Sequence, residues 1–534
     1  MVIRARVKRN TYFDSITLMK VARTLTDREG VEDAAAIMGT EANVQLLAEA
    51  GLMLPAELKG KAGPADVLLV VRASDEEGAQ AALQAAEEQL GQRTPAYVGS
   101  ERNEESGQRG RQPRSLEEAV RLHADAQVAV ISVPGPYAAL EAEQALRAGL
   151  HVFVFSDNVP LESEIALKRL AQERGLLLMG PDCGTAMLNG VGLGFVNVVP
   201  RGNIGIVGAS GTGIQQVMSL IAQQGKGVSQ VIGCGGRDLS EAVGAITALQ
   251  GLQLLQEDEQ TQGIVLISKP PAASVAERVL EAVSAGKKPV VVIFVGLDKV
   301  NYEHWQRHYG DKVVLARTLT EAAQLAVNGN KGSLQGEDGR VAVSAAPRTM
   351  LKTRGRMVGL FAGGTLCDEA MHIWAEQVGL VYSNIPLKPA WQLEQGQEGH
   401  CAIDFGADEY THGRPHPMID PSLRLKRLQE EAGNAETAVI LLDMILGYCA
   451  HPDPASVHVP VIREALLKAK RDGRNLTVVI SLCGTEGDPQ RLSVQAKKFR
   501  EAGAEVFMSN AEAAMRCVEL LTLPRRECGG FLVL

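Results

Sequence analysis

Residues 205–217 constrain the fold more than any other stretch of the chain. An apolar run at 204–207 leads into a loop with three glycines and two hydroxyl side chains, and a helix is predicted from about Thr212. The predicted helix is recognised by apolar residues at helical spacing: Ile214, Val217, Met218 and Ile221. A strand, a glycine loop and a helix start leave unpaired N–H groups at the positive end of a helix dipole. Such a loop is suited to a phosphate or a carboxylate.

Residues 357–367 repeat this design, with a strand, glycines, a threonine and a predicted helix. Two such helix starts in one chain can hold one anion between them. The alternative is that each is an ordinary tight turn between strand and helix, because short glycine-rich turns are common. If the anion site exists, its predicted phosphate-binding residues are Ser210, Gly211, Thr212, Gly213, Gly363, Gly364 and Thr365.

Apolar strands alternate with helices from residue 115 onward, which indicates parallel sheets covered on both faces. We therefore predict an α/β protein with several Rossmann- or flavodoxin-like parallel-sheet domains. A small amino-terminal α/β domain precedes them, and a ferredoxin-like arrangement is one option for it. The predicted segments are a small domain at 1–90, a linker at 91–114, a Rossmann domain at 115–200, a flavodoxin-like domain at 201–330, a linker at 331–354 and a last domain at 355–525.

The net charge of −9 and the pI of about 5.7 argue against a nucleic-acid partner. No apolar run approaches the ~18–20 residues of a membrane-spanning helix, and no signal peptide is recognised at the amino terminus. The eight cysteines form no CxxC pair, so they predict reduced thiols and give no zinc signal. These features favour a cytoplasmic protein without a membrane partner.

Polar loops follow several of the predicted strands, where open α/β sheets bind their ligands. Asp182, Arg237 and Asp238 lie in two such loops, and the guanidinium fork of Arg237 matches paired oxygens. An ordinary surface turn at Arg237–Asp238 is the equal alternative. A third loop is dense in chemically active side chains: Asp404, Asp408, His412, Arg414, His416 and Asp420.

This third loop is predicted to belong to a substrate or phosphate site. His416 or Asp404 is the candidate acid or base, Arg414 is a candidate anion ligand, and Asp420 a substrate contact. The spacing of these side chains matches no familiar metal-ligand pattern, so no metal is predicted.

Four motifs between about 115 and 330 resemble the α subunit of succinyl-CoA synthetase and other NDP-forming acyl-CoA synthetases. They are Val-Pro-Gly-Pro-Tyr at 133–137, Gly-Pro-Asp-Cys-Gly at 180–184, Val-Gly-Ala-Ser-Gly-Thr at 207–212 and Gly-Cys-Gly-Gly-Arg-Asp at 233–238. Residues 355–525, with Ala-Gly-Gly-Thr-Leu at 362–366, resemble the carboxyl-terminal domain of the β subunit. With the added amino-terminal domain and Gly-Arg-Pro-His-Pro-Met-Ile-Asp-Pro at 413–421, the whole pattern is similar to the FdrA proteins.

The resemblance implies two helix starts that face one active site, but it is incomplete. The family's phosphohistidine loop is absent after residues 290–295, and the turn for the CoA nucleotide is not recognised at 95–115. The expectation is therefore that CoA is not a cofactor and that phosphate or carbamoyl phosphate is a substrate.

FdrA proteins are associated with oxamate carbamoyltransferase of allantoin breakdown, which implies a small anionic substrate and further subunits of a hetero-oligomer. An NDP-forming acyl-CoA ligase and a non-catalytic scaffold subunit stay open as alternatives.

Overall fold

The computed structural model describes residues 2–92 with short gaps, residue 113, residues 115–329 without 311–312, and residues 355–522 without 395 and 412–413. The predicted linkers at 91–114 and 331–354 therefore lie almost wholly outside the described residues. The chain forms two compact units. The first comprises residues 1–114 and 411–415, and the second comprises residues 115–410 and 416–534.

The described part of the first unit is a three-stranded antiparallel sheet in the order β1-β3-β2, with two helices. The central strand β3 is buried along almost its whole length because both of its faces are covered, one by α1 and α2 and the other by a cluster that includes Leu47 and Leu52. Element order and pairing are those of the first five elements of a ferredoxin-like fold. The bounds are β1 (Val2–Lys8), α1 (Ser15–Thr26), β2 (Val31–Met38), β3 (Val67–Ala73) and α2 (Glu76–Gln92).

The second unit begins with a small parallel sheet in the order β4-β5-β6, as the apolar strands predict. Its helices bury alanine and leucine side chains against the sheet. The bounds are α3 (Leu116–Leu122), β4 (Val128–Ile131), α4 (Gly135–Arg147), β5 (His151–Val154), α5 (Leu161–Glu173) and β6 (Leu178–Met179).

A seven-stranded sheet follows, in the order β13-β12-β11-β9-β10-β7-β8. Strands β9 to β13 are parallel, and their mostly apolar sequences are buried on both faces. The bounds are β7 (Thr185–Leu188), β8 (Val191–Gly194), β9 (Arg201–Gly208), α6 (Gly211–Gln223), β10 (Val228–Gly233), α7 (Ile246–Glu257), β11 (Gly263–Ser268), α8 (Ala273–Ala285), β12 (Val290–Phe294), α9 (Lys299–Tyr309), β13 (Val313–Ala316) and α10 (Leu319–Val327).

The hairpin of β7 and β8 was not identified in the sequence analysis. Its two-residue turn is Asn189-Gly190, and both residues have positive φ, at 50° and 83°. Asn-Gly is the strongest short-range signal for such a hairpin, so the sequence contained the information. The hairpin pairs with β10 in the antiparallel sense and extends the edge of the seven-stranded sheet.

The last sheet is six-stranded and parallel, in the order β15-β16-β14-β17-β18-β19. The bounds are β14 (Arg356–Phe361), α11 (Gly364–Val378), β15 (Tyr382–Ser383), β16 (Cys401–Asp404), α12 (Asp408–Thr411), α13 (Ser422–Gly433), β17 (Thr437–Ile445), α14 (Pro454–Arg471), β18 (Thr477–Cys483), α15 (Leu492–Glu501), β19 (Glu505–Phe507) and α16 (Asn510–Thr522).

A layer of helices between these two sheets joins them through one hydrophobic core. Apolar side chains of α6, α10, α11 and α16 share this core with residues of both sheets. The fully buried Trp374 of α11 donates its ring N–H to the carbonyl of Ala514, at 2.9 Å. Because α6 and α11 share one core, their amino-terminal ends are held at a fixed separation.

Among the residues that the structure describes, no helix is both long enough and apolar enough to cross a membrane.

Candidate anion-binding site

The first predicted loop folds as a strand, a turn and a helix. Strand β9 ends at Gly208, and α6 begins at Gly211 with Ser210 as its N-cap. Ser210 has extended backbone, with φ −160°, and its Oγ accepts a hydrogen bond from the N–H of Gly213, at 3.1 Å. A serine placed in this way satisfies one of the N–H groups that a helix start leaves unpaired.

The second predicted loop is stabilised by a distant carboxylate. Helix α11 begins at Gly364 without a side-chain cap. Instead, Asp443 of β17 accepts the N–H groups of Ala362 and Gly363, at 2.7 and 2.9 Å. Arg424 of α13 contacts the Asp443 carboxylate at 3.1 Å, and both side chains are buried. The N–H of Gly363, predicted to bind phosphate, is therefore already bound to Asp443.

The two helix starts meet in the structure. Ser210 Oγ lies 2.7 Å from Thr365 Oγ1, so the two hydroxyls share a hydrogen bond. A Cβ atom at Gly363 would lie 2.7 Å from Thr212 Oγ1, which leaves room for glycine alone without a shift. The structure thus brings together five of the seven predicted phosphate-binding residues in direct contacts, while Gly211 and Gly364 begin the two helices.

Asp404 lies beside the start of α11, as the last residue of β16. Its Oδ1 accepts the N–H of Gly406 at 2.8 Å, and a Cβ at Gly364 would lie 2.7 Å from its Oδ2. Burial raises the pKa of Asp404 to about 7, although the Gly406 N–H and the charge of Lys269 act in the opposite direction. A carboxyl group with this pKa exchanges a proton near neutral pH.

His416 lies near Asp404, beside Gly406. A Cβ at Gly406 would lie 3.1 Å from His416 Nε2 and 3.1 Å from Asp404 Oδ1. The imidazole packs on the Phe195 ring, with 5.4 Å between centroids, and its Nδ1 accepts the N–H of Met418 at 3.3 Å. Burial, with a smaller contribution from the charge of Arg424, lowers the pKa of His416 to about 4. His416 is therefore neutral at pH 7, with its proton on Nε2.

The predicted substrate-binding residues Asp182, Arg237 and Asp238 lie in other loops than those that begin α6 and α11. Asp238 is fully buried and binds Lys168 Nζ at 2.5 Å and the N–H groups of Thr247 and Ala248. Arg237 donates to the carbonyl of Val159 and pairs with Glu164. These contacts give Asp238 a structural role at the start of α7 and hold Arg237 against α5 and the loop before it. Asp182 is exposed, in the loop that follows β6.

The remaining residues of the third predicted loop are only partly described. His412 lies outside the described residues. Arg414 is exposed, and Asp420 accepts the N–H of Ser422 at 3.0 Å ahead of α13. Within the described residues no group of three or more His, Cys, Asp or Glu is placed to hold a metal ion.

Sequence reasoning missed four charged residues that surround the start of α11: Asp443, Arg424, Lys269 and Asp368. Asp443 stands inside a run of apolar residues in β17, and a carboxylate within a buried strand was an available signal. Lys269 follows β11, and its Nζ lies 2.6 Å from Asp368 Oδ2 of α11. The arrangement can bind an anion beside a carboxyl group that titrates near neutral pH.

Comparison with known proteins agrees with this architecture. Residues 360–518 match the family model described as CoA-ligase, and residues 200–296 match the CoA binding domain. Residues 1–106 match the model described as AllF, heavy metal-associated domain, although this segment contains no cysteine. The protein YahF of Escherichia coli (strain K12) is 40% identical over 526 residues, which cover 98% of this chain and 99% of YahF.

The chain belongs to the FdrA family.

Other matches of this FdrA-family protein cover smaller parts. Subunit alpha 2 of the ADP-forming succinate–CoA ligase of Archaeoglobus fulgidus is 33% identical over 187 residues, 34% of this chain and 63% of the relative. Among solved structures, the dinucleotide-forming acetyl-coenzyme A synthetase 1 of Ca. Korarchaeum cryptofilum is 15% identical, with a TM-score of 0.31, over 74% of this chain and 82% of that chain. ATP citrate lyase from Methanothrix soehngenii is 14% identical, with a TM-score of 0.35, over 40% of each chain.

The predicted fold class and the predicted resemblance to acyl-CoA synthetases are confirmed. This FdrA-family protein has the α/β architecture of the NDP-forming acyl-CoA synthetases.

Proposed function

We propose that this FdrA-family protein binds phosphate or an acyl phosphate between the starts of α6 and α11. The observation that carries the proposal is the 2.7 Å contact between Ser210 Oγ and Thr365 Oγ1, which brings two helix amino termini to one point. Two helix dipoles and their hydroxyl groups favour a negative charge there. No covalent intermediate is required if the two ends position a phosphate next to an electrophilic carbon.

The proposed reaction is the phosphorolysis of N-carbamoyl-2-oxoglycine, with this chain as a subunit of oxamate carbamoyltransferase. A phosphate oxygen attacks the carbamoyl carbon, and the bond from that carbon to the oxamate nitrogen breaks. The products are carbamoyl phosphate and oxamate, and the leaving nitrogen takes up one proton. The resemblance to FdrA proteins supports this substrate, and the two helix starts and Asp404 support the proposed anion binding and proton donation.

Asp404 is the better candidate for that proton donor. Its pKa of about 7 leaves a large protonated fraction at neutral pH, which general acid catalysis requires. His416 has a pKa of about 4, so it holds no second proton to give at pH 7. We assign to His416 the role of a neutral hydrogen-bond donor through Nε2. Arg414 stays a candidate substrate ligand, and Asp420 and Asp182 candidate substrate contacts.

The second candidate function is an NDP-forming acyl-CoA ligase. The matches to the CoA-ligase and CoA binding models favour it. Such a ligase passes its phosphate through a histidine in the loop after β12, and that loop contains none here. Instead, His372 of α11 packs on this loop, where a Cβ at Gly296 would lie 2.0 Å from its Nε2. We therefore place carbamoyl transfer first, with further subunits in a cytoplasmic hetero-oligomer and without CoA.

The test is calorimetric titration of the purified chain with phosphate and carbamoyl phosphate, then with CoA and ATP. Binding of the two phosphate compounds without CoA supports the proposal, and Ser210→Leu should abolish that binding while the fold persists by circular dichroism. CoA binding or a phosphorylated histidine would move the ligase to first place. If no small anion binds and partner subunits are active without this chain, a scaffold role replaces both.

A further inference from the structure

Lys269 and Asp368 form an ion pair at the junction of the two halves of the second unit. Lys269 follows the last residue of β11, and Asp368 lies in the second turn of α11. Lys269 Nζ is 2.6 Å from Asp368 Oδ2. The Lys269 side chain is 50% exposed and that of Asp368 is 11% exposed, so a cation held by a buried carboxylate faces solvent.

This pair lies next to the two helix starts. The carbonyl of Ile267, two residues before Lys269, accepts the N–H of Ala209, which precedes Ser210. A Cβ at Gly213 would lie 3.3 Å from the Ile267 side chain and 3.1 Å from that of Thr365. Asp368 follows Thr365 by three residues, so both project from the same face of α11. Lys269 is therefore linked to the helix start through its ion pair with Asp368, one helical turn beyond Thr365.

Two other cations near the candidate site already have carboxylate partners. Arg424 is buried, and its guanidinium binds the carboxylate and the carbonyl of Asp443. Arg237 binds the carbonyl of Val159 and the carboxylate of Glu164. The side chains of Lys269 and Arg237 are similarly exposed, at 50% and 46%, but their partners differ in position. Lys269 pairs with Asp368 of α11 itself, whereas Arg237 is bound by Val159 and by Glu164 of α5. Lys269 therefore presents a half-exposed charge on the helix whose start forms the candidate site.

The charge of Lys269 is maintained by its surroundings. Burial is the largest single influence and would lower the pKa of Lys269, but the charge and hydrogen bond of Asp368 together with the charge of Asp404 outweigh it, and the pKa is raised. The ammonium group therefore stays charged throughout the neutral range. It is a compact point charge with three donors, which suits the oxygens of a phosphate.

We propose that Lys269 is the residue that binds the phosphate group of the ligand, and that Asp368 positions its ammonium group beside Ser210 and Thr365. This inference rests on the proposed function and names its principal cation, a role for which the sequence had indicated Arg237 and Arg414. The ligand class is a phosphate or an acyl phosphate with free terminal oxygens.

The test compares Lys269→Gln with Lys299→Gln. Lys299 pairs with Glu303 on the surface of α9 and is the matched control. Phosphate and carbamoyl phosphate are titrated into the wild-type chain and each variant. Since a charged hydrogen bond contributes about 1.5–3 kcal/mol, Lys269→Gln should weaken phosphate binding by about tenfold or more. Lys299→Gln should bind as the wild type does, and Lys269→Arg should recover part of the affinity.

A second measurement does not depend on the stability of a variant. The wild-type chain is treated with an amine-acylating reagent with and without phosphate, and modified lysines are identified by mass spectrometry. Phosphate should protect Lys269 and leave Lys299 unchanged. Equal phosphate affinity in Lys269→Gln and the wild type, or no protection of Lys269, overturns the inference while the proposed function stands. If the wild-type chain binds no phosphate compound, both fail together.

Discussion

Helices α6 and α11 both begin after an apolar strand and a glycine loop, but their first turns are stabilised by different means. Helix α6 is capped by its own Ser210, through a bond between residues three apart. Helix α11 lacks such a cap, and its loop is held by Asp443, about 80 residues later in the chain. One start is therefore locally encoded, whereas the other depends on the assembled sheet.

This difference has an electrostatic consequence. The hydroxyl of Ser210 is neutral, so the dipole of α6 remains available to an external anion. At α11 the carboxylate of Asp443 already opposes the dipole, and Arg424 balances that carboxylate. We therefore expect a ligand to draw more of its binding energy from the α6 side and from Lys269 than from the N–H groups of the Gly363 loop.

The largest expected effect on stability comes from removing Asp443, whose carboxylate holds the loop before α11. Asp443→Ala should lower the free energy of unfolding by about 3–5 kcal/mol, because it leaves Arg424 buried and unpaired. Denaturant unfolding of Asp443→Ala and of Ser210→Ala measures the free energy that each variant loses. Ser210→Ala should cost only about 1 kcal/mol, the usual value of a lost N-cap. Equal losses in the two variants would show that the two starts do not differ as described.

The second-largest expected effect is on the pH dependence of the free energy of unfolding, and it comes from Asp404. Its pKa is higher in the folded chain than in the unfolded one, so the folded state binds the additional proton and becomes less stable as pH rises from about 4 to about 7. At about 1.4 kcal/mol per pKa unit, a rise from 3.8 to about 7 costs up to about 4 kcal/mol at pH 8.

Asp404→Asn should therefore stabilise the protein at pH 8 and lose this advantage at pH 4, as thermal unfolding at both pH values will show. The same variant should lower turnover by about 10²–10⁴-fold if Asp404 is the general acid. A variant that is less stable than the wild type at pH 8 would contradict the assigned protonation.

The third comparison uses the two glycine loops. Gly363→Ala should cost about 1–3 kcal/mol, since its Cβ would lie 2.7 Å from Thr212 Oγ1. Gly211→Ala is the matched control, because the nearest atom to its Cβ would be Thr185 Oγ1, at 3.4 Å. Chemical unfolding of both variants tests this, and a similar cost at Gly211 would argue against close contact of the two loops.

The smallest expected effect is the coupling energy of the hydrogen bond between Ser210 and Thr365, which joins the starts of α6 and α11. In a double-mutant cycle, Ser210→Ala and Thr365→Val should show a coupling of about 0.5–1.5 kcal/mol, the net value of a hydrogen bond. The cycle needs the unfolding free energies of the two single variants and the double variant. Strict additivity would mean that the hydroxyls do not interact in solution.

Much of the local structure could be predicted from the sequence. The strand–loop–helix pattern around Ser210 was identified, and the helix begins one residue before the predicted position. Local signals suffice there because the cap, the glycines and the apolar spacing all lie within one turn of each other. The Asn189-Gly190 hairpin had an equally local signal that was not used.

The charged environment of the site could not be predicted in this way. Asp404 was named as a candidate, but its raised pKa arises from burial that only the packed core creates. Asp238 was named as a substrate residue, yet the fold buries it against Lys168 and α7. Whether a carboxylate is buried or open depends on residues far away in the chain.

The amino-acid sequence by itself determined the elements, the parallel sheets and the family of this protein, because periodicity, turn residues and motifs are short-range properties. Only the tertiary structure decided that Ser210 meets Thr365, that Asp443 and Arg424 hold the second loop, and that Lys269 pairs with Asp368 of α11. These contacts join residues from separate sheets through a shared helical core, and their geometry exists only after that core has packed.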